Sequence, residues 1–186
     1  GISAMGFVSA ASDGLARFER LLLTALIAIL VGLIMLNVVT RAFGAAIYWV
    51  DETAIYCMIW LVFIGASLTL RMRRHVRVTV FAVMVPEGPR NAMELVIDVL
   101  LLAFSAFMIW LAWVWYDPPG IMAAGFDPDA FSGTTFNFIY DEPTTTVGIQ
   151  KFWIWLVMPW FALTCTVHAA ANLIDRLAGR SEVEVA

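Results

Sequence analysis

Charged residues fall in short bursts along this chain, and between the bursts lie four long uncharged stretches. These are 21–39 between Arg20 and Arg41, 53–70 between Glu52 and Arg71, 99–116 between Asp98 and Asp117, and 152–173 between Lys151 and Asp175. About 20 apolar residues, rising 1.5 Å each, cross the ~30 Å of a bilayer's hydrocarbon, so each stretch is long enough to span it. In lipid a backbone must satisfy its own hydrogen bonds, which leaves helices or a closed barrel, and a barrel would show short alternating strands instead. The pattern predicts an all-α integral membrane protein with four transmembrane helices, at about 17–40, 50–71, 91–116 and 152–174, in a single membrane domain over 5–186.

Two connections are unusual. The apolar piece from His75 to Val85 is about eleven residues long, too short to cross. With Arg77 on it and Pro86 and Pro89 closing it, it reads as an interfacial or re-entrant segment between helices two and three. The connection 117–150 is rich in Gly, Pro, Asp and Thr and is long for a loop.

Composition agrees with the membrane class: 62% of residues are hydrophobic, 14% are charged, and the mean hydropathy is +0.86. The net charge of −4 says less than its distribution. Arg17, Arg20, Arg71, Arg73, Arg74, Arg77, Arg90, Arg176 and Arg180 fall on one side of a four-span topology, leaving Arg41 and Lys151 on the other. By the positive-inside rule the arginine-rich side, with both termini, is expected to be cytoplasmic. Aromatic residues give a separate signal. Tyr48, Trp49, Trp110, Trp113, Trp115, Tyr116, Trp153 and Trp155 gather at the opposite ends of the helices, where amphipathic rings favour the headgroup level.

At the amino end, Gly1-Ile-Ser-Ala4 before Met5 has the look of a tag scar, and the first apolar run is too long for a cleavable signal, so it is expected to stay as an anchor. The polar tail after Arg180 shows no further apolar run.

Candidate chemistry is sparse. Cys57 and Cys165 are isolated in apolar runs, which gives neither a disulfide framework nor a thiol-based metal or redox site. His75 and His168 invite a haem between facing helices, but they sit on different segments with no shared register. Glu94 and Asp98 share a face of helix three near the arginine-rich boundary. They fit either a proton or cation path or an ion pair with the 71–77 arginine cluster. Ala28 with Gly32, and Gly65 with Thr69, have the four-residue spacing that lets membrane helices approach closely. No phosphate loop, nucleophile with a base, metal cluster or nucleic-acid-binding face is apparent. No catalytic, cofactor or metal residue is expected in this chain.

The central stretch carries Asn37-x-x-x-Arg41, then Trp49 and Glu52, then Trp60-x-x-Phe63-x-Gly65, and then Arg73-Arg74-His75-Val-Arg77 before Pro86 and Arg90. In this order and spacing the chain resembles the small, four-helix membrane subunit of the tripartite ATP-independent periplasmic (TRAP) transporters. The resemblance covers residues 37–90 and, more loosely, 151–159. It implies a scaffold beside a large multi-helix membrane subunit that holds the substrate site and the sodium coupling, and a periplasmic binding protein that delivers an organic acid. The interface candidates are then Asn37, Arg41, Trp49, Glu52, Trp60, Gly65, Arg73, His75, Glu94 and Asp98. Arg41 departs from the positive-inside pattern, and an ion pair with Asp51 or Glu52 is expected to accommodate it. The connection 117–150 is longer than the family's usual third connection and suits either contact with the delivery protein or decoration. The alternative from another class is a small haem- or quinone-binding redox subunit.

Overall fold

One seam runs the length of the first helix. Ser9, Ser12, Ala16, Glu19, Leu23, Leu26, Leu30, Leu33, Asn37 and Thr40 recur at alternating spacings of three and four and are all among the less exposed positions of α1 (Ala4–Ala42). That spacing keeps a stripe on one side of a helix, here leucine in the middle and polar at both ends. The computed structural model describes residues 4–72 and 87–178, and Arg73, His75 and the expected interfacial segment lie outside them.

At 39 residues α1 is about 58 Å long, nearly twice the hydrocarbon thickness. It begins well before the expected residue 17, because the polar part of the seam continues the helix past the apolar span. Its other end is closed by a Schellman motif: Ala45 N–H donates to Thr40 O at 2.9 Å and Gly44 N–H to Arg41 O at 3.0 Å, with Gly44 at φ 72°.

Three more long helices follow: α2 (Tyr48–Met72), α3 (Glu87–Tyr116) and α7 (Val157–Leu177). With the short α6 (Phe152–Trp155) leading into α7, the four spans are long and apolar enough to cross a membrane. The break between α6 and α7 falls just before Pro159, whose missing N–H interrupts the helical ladder. Near this break the Ile154 carbonyl accepts the indole N–H of Trp60 at 3.0 Å. The helices alternate in direction, so the start of α1 and the end of α7 meet at one end.

α7 is the hub. It packs against α1, α2 and α3, while α1 also packs along α2. Gly65 of α2 faces Leu23 of α1, 3.9 Å from where a Cβ would sit, whereas Gly32 looks onto open space. Phe63 meets Phe161 of α7 edge-on at 5.3 Å, and the buried Ser67 hydroxyl donates to Thr164 at 2.7 Å.

The connection 117–150 is structured. Two Asp-Pro pairs start its two short helices, α4 (Pro118–Ala123) and α5 (Pro128–Thr135). As N-caps, Asp117 accepts the N–H of Gly120 and Asp127 those of Asp129 and Ala130, and each proline occupies the first turn, where no N–H is needed. Tyr116, Ile121, Phe131 and Ile139 form a core over the ends of α3 and α6. Residues 142–151 fold back on themselves through Thr144 N–H to Ile149 O at 2.7 Å and Lys151 N–H to Glu142 O at 2.9 Å.

Candidate functional site

Polar side chains concentrate at the two ends of the bundle. The arginine-rich end is held by charges that meet between helices. Arg71 of α2 donates to Asp13 of α1 at 2.7 Å, and to Asn172 at 2.8 Å and Asp175 at 3.2 Å on α7. Ser9 donates to the other oxygen of Asp175 at 2.6 Å, and Asn172 donates to Leu70 O at 3.0 Å. Arg176 donates to Asp98 at 2.5 Å and to Glu94 at 2.6 Å on α3. His168, Asn172, Asp175 and Arg176 lie about one and two turns apart on α7, so one helix presents partners to the other three.

Of the arginine cluster, Arg71 turns to α1 and α7 while the other members lie outside the described residues, and among the described residues Arg176 reaches both Glu94 and Asp98. The packing of α3 on α7 puts the carboxylates beside a residue far along the chain.

His168 is fully buried, with Nδ1 2.7 Å from the Ser12 hydroxyl and Nε2 3.1 Å from Glu19 Oε2. With Glu19 ionised, Nε2–H donates to the carboxylate and the Ser12 O–H donates to Nδ1. Both ring nitrogens are thus engaged, and iron ligation by His168 would require breaking one of these bonds. Hydroxyl, imidazole and carboxylate stand in the order of a hydrolase triad. All three side chains are 0% exposed, so an acyl substrate has no approach to Ser12.

The tryptophan-rich end is held differently. Arg41 Nη2 lies 2.5 Å from Asp51 Oδ2 and Arg41 Nε donates to Asn37 Oδ1 at 2.7 Å, while Asn37 also donates to Asp51. Asn37, Arg41 and Asp51 thus close a ring between α1 and α2, and of the two acidic residues offered to Arg41 it is Asp51 that pairs. Glu52, a residue further round the helix, faces the outer connection. Its carboxylate accepts the N–H groups of Thr145 at 2.7 Å, Thr146 at 2.6 Å and Val147 at 3.1 Å, and the hydroxyls of Thr146 and Tyr56. Lys151 pairs with Glu142 at 2.5 Å across the base of the same fold-back. Tyr140 donates its hydroxyl to Tyr116 O at 2.6 Å, and burial, aided by the negative charge of Asp117, pushes that hydroxyl's pKa up. Trp49 is exposed at this rim.

Helix count, hub and paired ends describe a membrane component and leave its family open; a comparison of sequences decides that. Residues 30–179 match the family model described as tripartite ATP-independent periplasmic transporters, DctQ component. The chain belongs to this family. It is also 30% identical over 96 residues to a Haemophilus influenzae protein provisionally named a TRAP transporter small permease protein. That stretch spans 51% of this chain and 60% of the relative.

As a TRAP small permease subunit, the chain uses its motif residues mostly to join its own helices. Asn37 and Arg41 tie α1 to α2, Glu52 ties α2 to the outer connection, Trp60 ties α2 to α6, and Gly65 brings α2 close to α1. Sequence reading missed the Ser12–His168–Glu19 relay and the Arg71 hub. A signal for the first was present, since Ser9, Ser12, Ala16 and Glu19 continue the leucine seam at the same spacing.

Proposed function

We propose that this subunit scaffolds the large transport subunit of a TRAP transporter for sodium-coupled, binding-protein-dependent uptake of an organic acid. In this reading it sits in the bacterial inner membrane with its arginine-rich end cytoplasmic and its tryptophan-rich end periplasmic, and it carries out no chemistry of its own. The observation that carries the reading is the uneven use of α3. One side packs on α7 and pairs through Glu94 and Asp98, while Val96, Leu100, Phe104, Phe107, Leu111 and Val114 form an uncovered apolar side. A span joined to its own bundle along one side, with a continuous apolar side left over, suits a scaffold.

Co-expression with a tagged large subunit tests the assembly, and uptake by proteoliposomes under a sodium gradient, with the binding protein and a radiolabelled carboxylate, tests the function. We expect the subunits to co-purify and uptake to require all three proteins and sodium. Sodium-driven uptake by the large subunit and binding protein alone would overturn the scaffold role.

A further inference from the structure

The outer connection comes back to the level of the α3 terminus at one point. Asn137 donates its side-chain N–H to Trp115 O at 2.7 Å, and its Oδ1 accepts the N–H of Ile139 at 3.1 Å. Its neighbours Phe136 and Phe138 lie one Cα–Cα step away, about 3.8 Å, so they share the depth of the last turn of α3. That turn belongs to the aromatic rim, with Trp110 and Trp113 exposed beside it. Phe136 is 82% exposed and Phe138 56% exposed.

Phe136 also closes α5 in the left-handed region, at φ 56°. Glycine or asparagine serves that position at little cost, whereas a bulky residue is unfavourable there. A phenylalanine both strained and bare to water would be doubly unfavourable. In a headgroup layer an exposed ring is favourable, and the depth fixed by Asn137 is where that layer meets a membrane-spanning α3. The acidic start of α5, Asp127 and Asp129, is exposed and provides a polar contrast within the same element.

We propose that Phe136–Asn137–Phe138 is a bilayer anchor. Asn137 pins the segment to α3, and the two rings enter the phospholipid headgroup–acyl boundary beside Trp110 and Trp113. The outer connection is then held at three places, by Glu52, by its aromatic core and by lipid. This rests on the bundle spanning a bilayer and is independent of what is transported.

The test uses the full chain in phosphatidylcholine/phosphatidylglycerol nanodiscs, with Cys57→Ser and Cys165→Ser and nitroxide labels at Phe136→Cys, Phe138→Cys and, as the polar reference, Asp129→Cys. Relaxation by oxygen relative to a water-soluble nickel complex should be several-fold higher at 136 and 138 than at 129. Equal ratios at all three positions would overturn the anchor. Should a cysteine variant fail to fold, benzoylphenylalanine at position 136 gives a second measurement. Photo-adducts of phospholipid mass support the proposal; adducts to a polypeptide, or none, overturn it.

Discussion

The two polar ends of this bundle are built on different principles. At the arginine-rich end, side chains bond mainly to side chains: Arg71 to Asp13, Asn172 and Asp175, Arg176 to Glu94 and Asp98, His168 to Ser12 and Glu19. At the other end much of the bonding runs from a side chain to backbone: Glu52 to the amides of 145–147, Asn137 to Trp115 O, Tyr140 to Tyr116 O, Trp60 to Ile154 O. A side-chain pair can be broken from either partner and its coupling measured. A bond to backbone has one mutable member, and losing it loosens a segment without stranding a second charge. The first end should therefore fail globally, the second locally.

The largest effect is expected at Arg71, whose side chain is 8% exposed, opposite Asp175 at 4%. Arg71→Ala removes the cation shared by the buried Asp175 and the half-buried Asp13, and breaking a buried pair costs about 3–5 kcal/mol. Denaturant-induced unfolding in mixed micelles should show that loss across all helices. A deficit confined to the outer connection would break the contrast between the ends.

Next comes the relay. His168→Leu leaves Glu19 buried without its partner and should cost about 3 kcal/mol. The double variant with Glu19→Leu should return to within roughly 1 kcal/mol of the parent, because replacing both members of a buried pair by apolar groups is often neutral. Ser12 can then bond back to its own helix. A double variant as unstable as the single one would show that the relay does more than satisfy its own members.

How far these ends were legible in the sequence differs in the same way. Four spans and two unlike rims could be read because lipid demands long charge-free runs and sorts arginine from tryptophan at their borders. Partner choice could not. Glu94 and Asp98 sit close in sequence to the arginine cluster at 71–77, and nothing in the sequence points to Arg176, 78 residues beyond Asp98, which among the described residues reaches both because α3 packs on α7. Hydropathy does not determine which helices are neighbours. Asp51 and Glu52 looked interchangeable as partners of Arg41, but consecutive helical residues point about 100° apart. One faces α1 and the other the outer connection. The helices inside that connection were announced by Asp117-Pro118 and Asp127-Pro128, a cap-and-proline signal obscured by the segment's loop-like composition.

Glu52 sharpens the local side of the comparison. Glu52→Ala removes the common acceptor of three amides and a threonine hydroxyl in the outer connection. Hydrogen exchange should accelerate at Thr145, Thr146 and Val147 while amides of α1, α2 and α7 keep their protection. Acceleration spread through the long helices would mean that the outer end, too, fails globally.

The smallest effect is expected at Arg41. Its pair with Asp51 has side chains 59% and 44% exposed, so water and salt screen it, and exposed pairs contribute about 0–1 kcal/mol. Arg41→Ala should lower stability by less than ~1 kcal/mol, and the difference should shrink in 1 M salt, where charges are screened beyond ~3 Å. The Arg71→Ala deficit should persist in the same salt, since ions have little access to a buried pair. Measuring both variants at low and high salt separates the ends on one axis. If Arg41→Ala proves as costly as Arg71→Ala and equally indifferent to salt, the Asn37–Arg41–Asp51 ring is shielded in the folded subunit, and the two ends differ in sequence but not in kind.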